Sequence, residues 1–271
     1  MAFKPLVYVG INISGSHRSY TLAAIDVDLH LQALSQGEEM EVLGFCAGSS
    51  SVLVTINAPN HPNTGLMNDP EFVQTLVAPP RTRRKINMRV AEYEARQRGL
   101  SVPRTPALIE DSPGWMKSGF NLYESLDNLE YQPFPAENST RQWLESQAET
   151  FFYALLKAVP FEAHSLEGRI QRQLALYDRE LPVSDPMTFF EEVTRYRLLR
   201  SILPTENILP TAELNALGMA YVGWLSINEP QSITHLGAAE EGQVTVPALP
   251  IVDPARLAST DVQSRSLKRQ F

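Results

Sequence analysis

Two short apolar runs that each end in an asparagine constrain this chain more than any other feature. Val52-Leu53-Val54-Thr55-Ile56-Asn57 is rich in β-branched residues, short for a helix and closed by Ala58-Pro59, so it predicts a strand buried on both faces. Leu6-Val7-Tyr8-Val9-Gly10-Ile11-Asn12 repeats the design and runs into a turn at Ser14-Gly15-Ser16. In open α/β sheets, ligands bind beyond the carboxyl ends of the strands. Asn12 and Asn57 leave their strands at that point, and if the strands are neighbours the two amides face each other.

The elements around these runs follow in a readable order. Residues 6–13, 19–27 and 29–34 predict an antiparallel meander, and residues 39–47 carry Met40, Leu43 and Cys46 at helical spacing before Gly48-Ser49-Ser50-Ser51 breaks the pattern. Residues 60–80 are proline-rich and loop-like. Residues 85–98 predict a helix with Ile86, Val90 and Tyr93 on one side and a charged stripe of Lys85, Arg89, Glu92 and Arg96 on another. Ser112-Pro113-Gly114 leads into a further helix, and Tyr131-Gln132-Pro133 predicts a short strand that its proline confines to an edge or an end.

Four helices are expected next. Ser139 with Gln142 reads as a capping box ahead of Trp143 and Leu144; Ser165 opens the second helix, Asp185-Pro186 a third reaching Ile202, and Thr211 the last, over 212–228. Residues 233–237 and 243–247 predict a hairpin. The expectation is a single domain over 1–250, with a helical insertion at about 60–128, a C-terminal helical region and a flexible tail over 251–271.

Five segments together resemble one family: Gly10-Ile11-Asn12, Ile56-Asn57-Ala58-Pro59, Arg89 to Arg96 with Glu92 and Glu94 between, Glu213-Leu214-Asn215-Ala216-Leu217, and Glu241-Gly242 leading to Pro247. The chain resembles, over about residues 6–247, the family named domain of unknown function 429, described as predicted nucleases of RNase H fold. In that family the first strand ends Gly-Ile-Asp, a later one ends Ile-Asp-Ala-Pro, a further strand carries a glutamate, and the last helix carries Asp-Ala-Leu. The resemblance implies an α/β fold with an RNase H-like core, a mixed sheet of three antiparallel strands joined by parallel ones. It also implies a metal-binding acid cluster at Asn12, Asn57, Gln132 and Asn215. All four positions hold amides.

Hard divalent cations require anionic oxygen ligands. An amide offers one neutral carbonyl oxygen and an NH₂ group that repels a cation. The expectation is therefore a degenerate site without metal or cofactor, in a catalytically inactive pseudo-nuclease that binds an anion, nucleic acid or a partner protein. One alternative is an active nuclease or phosphodiesterase whose Mg²⁺ or Mn²⁺ is held by relocated acids, with Glu137, Glu213, Asp26 and Asp28 as candidates. Another is a structural protein-protein interaction module using the helical region.

Charge adds a candidate surface. Between residues 81 and 104 eight basic residues face two acids, a local +6 on a chain of net −8, which leaves −14 elsewhere. Arg81, Arg83, Arg84, Lys85, Arg89 and Arg96 are the expected contacts for a phosphate-bearing ligand such as nucleic acid. No Gly-rich phosphate loop, Cys-x-x-Cys or His-x-x-x-His pair is present, and the five histidines are scattered. The lone Cys46 predicts a buried thiol. With no secretory pattern at the N-terminus it points to a cytoplasmic location, and no apolar stretch is long enough for a membrane span.

Overall fold

The computed structural model describes residues 4–15, 19–80 and 86–249. Arg81, Arg83, Arg84, Lys85 and the tail over 251–271 lie outside the described residues. The chain begins with three strands, β1 (Val7–Ile13), β2 (Tyr20–Ile25) and β3 (Leu31–Gly37), paired antiparallel as a meander. Helix α1 (Glu39–Ala47) carries the chain back to β4 (Val52–Asn57), which pairs parallel to β1. The next segment holds α2 (Pro70–Thr75), α3 (Val90–Gln97), α4 (Gly114–Asn128) and the two-residue β5 (Gln132–Pro133).

Strand β6 (Arg141–Glu145) then lies parallel to β4, where the sequence pattern had suggested a helix. It is followed by α5 (Ala148–Leu156), α6 (Leu166–Tyr177), α7 (Thr188–Glu192), α8 (Arg195–Leu198), α9 (Thr211–Asn228) and a hairpin of β7 (Ile233–Leu236) and β8 (Val244–Pro247). The sheet order is β3-β2-β1-β4-β6-β8-β7, with β5 attached to β6. Antiparallel through its first three strands and parallel through β1, β4 and β6, this is an RNase H-like α/β core. No helix among the described residues is long and apolar enough to cross a membrane.

Strand alternation divides the core in two. Tyr8 of β1, Leu53 of β4 and Leu144 of β6 pack beneath α5, α6 and α9 with Phe151, Phe152 and Leu217. Val9, Ile11, Val54, Ile56 and Trp143 face the other way, against α1 and α4. Burying each such side chain contributes about 1.5–3 kcal/mol, so both faces are strongly held. The apolar runs of β1 and β4 thus read as they do because both faces are covered.

Helix α9 is buried almost all round and lies directly on β1. Gly10 makes this possible: a Cβ there would stand 1.9 Å from the Ala216 carbonyl oxygen and 2.3 Å from the Ala220 nitrogen. Gly218, on the same helix, receives the ring of Phe151 from α5. The long helix expected after Asp185 is broken into α7 and α8, because Thr194 turns extended and caps the Arg197 N–H.

Candidate functional site

Asn12 and Asn57 are direct partners in the β1–β4 register. Each belongs to the face that carries α9, since each follows the alternation set by Tyr8 and Leu53. The Asn57 amide donates to Asn12 Oδ1 at 2.8 Å, and the Asn215 amide, one turn into α9, donates to the same oxygen at 3.2 Å. Asn57 Oδ1 in turn accepts the backbone N–H of Ala148 at 2.9 Å. That contact caps α5 from a neighbouring strand, since α5's own N-cap, Gln147, makes no side-chain cap bond. Three of the four amides singled out in the sequence therefore meet in one hydrogen-bonded cluster.

Gln132 does not join them. It is exposed on β5, pairs with Gln142 near the start of β6 and lines a polar depression with Asp127, Glu130 and Arg141 at the opposite end of the sheet. The strand beside β4 is β6, and its end carries Glu145 and Ser146. Ile56 pairs with Glu145, so Ser146 follows alongside Asn57 and completes a row of Asn12, Asn57 and Ser146 across three parallel strands. Ser146 is 2% exposed, and its Oγ has no hydrogen-bond partner among the described residues; Asn215 Oδ1 is also buried and unpartnered. No local pattern marked Ser146: only Trp143 and Leu144 before it are apolar, and the charged Glu145 interrupts the run that would have announced a strand end.

Arg89 differs most from its sequence reading. It is not part of a solvated stripe: it is 1% exposed, is the N-cap residue of α3 and makes a bidentate ion pair with Glu145 at 2.7 and 3.0 Å. Its remaining donors reach the backbone oxygens of Glu241 and Gly242. Burial opposes its charge, but Glu145, with Glu92 and Glu241 nearby, outweighs this and holds the guanidinium above its ordinary pKa. Arg96 likewise turns inward, donating to the Val102 carbonyl.

The three buried carboxylates are saturated. Glu145 also accepts the Asn60 N–H, Glu241 accepts from Thr64 and the Val90 N–H, and Glu92 accepts from Thr105 and the Arg89 N–H. Burial raises the pKa of Glu92 despite these bonds.

Other acids expected as substitutes lie elsewhere. Asp26 and Asp28 follow β2, whose end adjoins Tyr8 and not Asn12, and there they cluster with His30. Glu137 is exposed between β5 and β6, and Glu213, its pKa raised by burial, does not line the cavity at the amides.

That cavity has a volume of about 630 Å³. The amide cluster, Ser146, the first turns of α5 and α9, the Arg89–Glu145 pair, Glu92 and His164 contribute polar lining, while Ile13, Pro59, Pro103, Trp115 and Met116 supply apolar lining. No protein-family model matches the chain, and no curated protein or solved structure does so either.

Proposed function

We propose that this chain is a pseudo-nuclease: an RNase H-like protein in which the metal-holding acids of the resembling family have become amides and the strand-end cavity serves as a metal-free binding site. The observation that carries this reading is the direct hydrogen bonding of Asn57 and Asn215 to Asn12. Carboxylates at such separations repel by about 4 kcal/mol per pair at an effective dielectric of 20, and need a cation between them. Amides satisfy one another instead. The acid at the end of β6, Glu145, is neutralised by Arg89. Nucleic acid is the partner this reading favours least, because Arg89 and Arg96, two of the six basic residues expected to meet phosphate, are committed to internal partners.

The test is calorimetric titration with Mn²⁺ alongside a nuclease assay on RNA and DNA. The unmodified protein should neither bind the ion at the cavity nor cleave. The triple variant Asn12→Asp, Asn57→Asp, Asn215→Asp should gain Mn²⁺ affinity and a metal-dependent rise in Tm. A Mn²⁺ site in the unmodified protein that disappears in Glu145→Gln would show the acids to have been relocated.

A further inference from the structure

We infer that the strand-end cavity recognises an uncharged ligand through a pair of adjacent hydroxyl groups, the chemistry of a sugar ring, free or within a nucleoside. This rests on the metal-free reading of the same cavity. Two polar atoms there are buried without a partner among the described residues, Ser146 Oγ and Asn215 Oδ1. An unmet buried group costs about 1–3 kcal/mol, so two at one cavity mark a place where a partner belongs. Their capacities say which partner. Asn215 Oδ1 only accepts, so whatever meets it must bring a hydrogen. Carboxylates and phosphodiesters bring only lone pairs and would be repelled, and inorganic phosphate brings a hydrogen only together with its negative charge.

Ser146 both donates and accepts, and it directly precedes Gln147 and α5, whose first turn leaves N–H groups beyond Ala148 in need of an acceptor. A hydroxyl answers both demands by giving its hydrogen to one group and its lone pair to another. Two neighbouring hydroxyls can meet both orphaned atoms at once. The charges agree: Arg89 is bound to Glu145, and Glu149 is paired with Arg172, so the arginine that lines the cavity offers no free charge to an anion. A volume of about 630 Å³ exceeds what a hydroxyl pair occupies. The ring of Trp115, beside Met116, gives the apolar part of such a ligand a surface to pack on.

The experiment is calorimetry on the full chain with adenosine, ribose, 2′,3′-dideoxyadenosine and inorganic phosphate. Adenosine should bind, dideoxyadenosine should bind at least tenfold more weakly, and inorganic phosphate should not bind. Ribose binding alongside adenosine assigns the site to the sugar alone; adenosine without ribose assigns it to the nucleoside, with the base on Trp115. Ser146→Ala should lower adenosine affinity at least tenfold while leaving Tm unchanged or higher, because it deletes an unmet hydroxyl. Asn215→Leu should act in the same direction, and if it fails to fold, Ser146→Ala carries the test. Equal affinity for adenosine and its dideoxy form, binding of phosphate, or no binding of either adenosine or ribose at millimolar concentration overturns the inference. Mn²⁺ binding in a parallel titration would instead overturn the metal-free reading, so the two failures are distinguishable.

Discussion

Asn57 gives its side-chain N–H to Asn12 Oδ1 at 2.8 Å while its own Oδ1 takes the Ala148 N–H at 2.9 Å, so both ends of one amide are fixed by different elements. An aspartate at this position keeps the bond to Ala148 and loses the one to Asn12, setting two oxygens against each other. Asn12 cannot turn its amide over freely, because Asn215 donates to the same oxygen. Asn57→Asp is expected to cost about 1–3 kcal/mol at neutral pH. The new carboxyl should have its folded pKa raised, since its protonated form restores the donor. Its contribution is then fully present below the unfolded value near 3.9 and lost as pH rises through the folded value. Urea denaturation at pH 4 and pH 7 checks this: the deficit relative to the unmodified protein should shrink at the lower pH.

The Arg89–Glu145 pair carries a second expectation. Both groups are buried, and Arg89 ties α3 to the end of β6 and to the turn before β8. Removing one member leaves the other charge without its counter-ion, at a cost of about 3–5 kcal/mol. Arg89→Met and Glu145→Met should each show such a loss in denaturant midpoint. The double variant should lose less than the sum of the two, with a coupling of about 1–3 kcal/mol. Additive losses would mean that the pair does not form in solution.

How much of this was legible in the sequence depends on where each residue's partners lie. The runs of β1 and β4 and the helix α1 announced themselves because burial on two faces, or helical spacing over nine residues, is a local pattern. Asn12 and Asn57 were legible for the same reason, as polar endings to apolar strands, whereas Asn215 was legible only through the resemblance, at the Asp-Ala-Leu position of the last helix. Strand β6 was not, because two of its five residues are polar yet buried. Gln142 is satisfied by Ala136 and Ser139, and Glu145 by Arg89, 56 positions away. With those contacts invisible, Ser139 and Gln142 looked like a helix cap. Arg89 was misread in the same way: its helical spacing with Glu92 and Arg96 placed it in a charged stripe, while its ion pair is with Glu145 at the end of β6.

Gly10 sets how closely α9 approaches the sheet, and through it whether Asn215 reaches Asn12. The atoms a Cβ would strike at 1.9 and 2.3 Å are backbone, so no side chain can move aside. Gly10→Ala should therefore displace the helix and cost at least about 1–3 kcal/mol, the usual range for overpacking, in Tm or denaturant midpoint. It should also abolish ligand binding at the cavity. A variant of unchanged stability would mean that α9 sits farther from β1 than described.

Cys46 supplies an expectation in pH. It lies on α1 against the sheet, and burial pushes its thiol from 9.0 up to about 12. The native protein should thus resist thiol reagents at pH 8 and react at the rate at which it unfolds. For stability, the unfolded thiol ionises near its ordinary value while the folded one stays protonated. The folded state's advantage is therefore complete below pH 9 and shrinks as pH climbs toward 12. One unit corresponds to about 1.4 kcal/mol, which is the loss expected from this group near pH 10. Tyr123 and Tyr131, buried and also raised, add to the decline only above their own ordinary value of 10.0. Between pH 8 and pH 10, urea denaturation of Cys46→Ala should give a shallower fall in stability than the unmodified chain, whatever packing the substitution costs at neutral pH. Parallel curves would place the thiol in solvent.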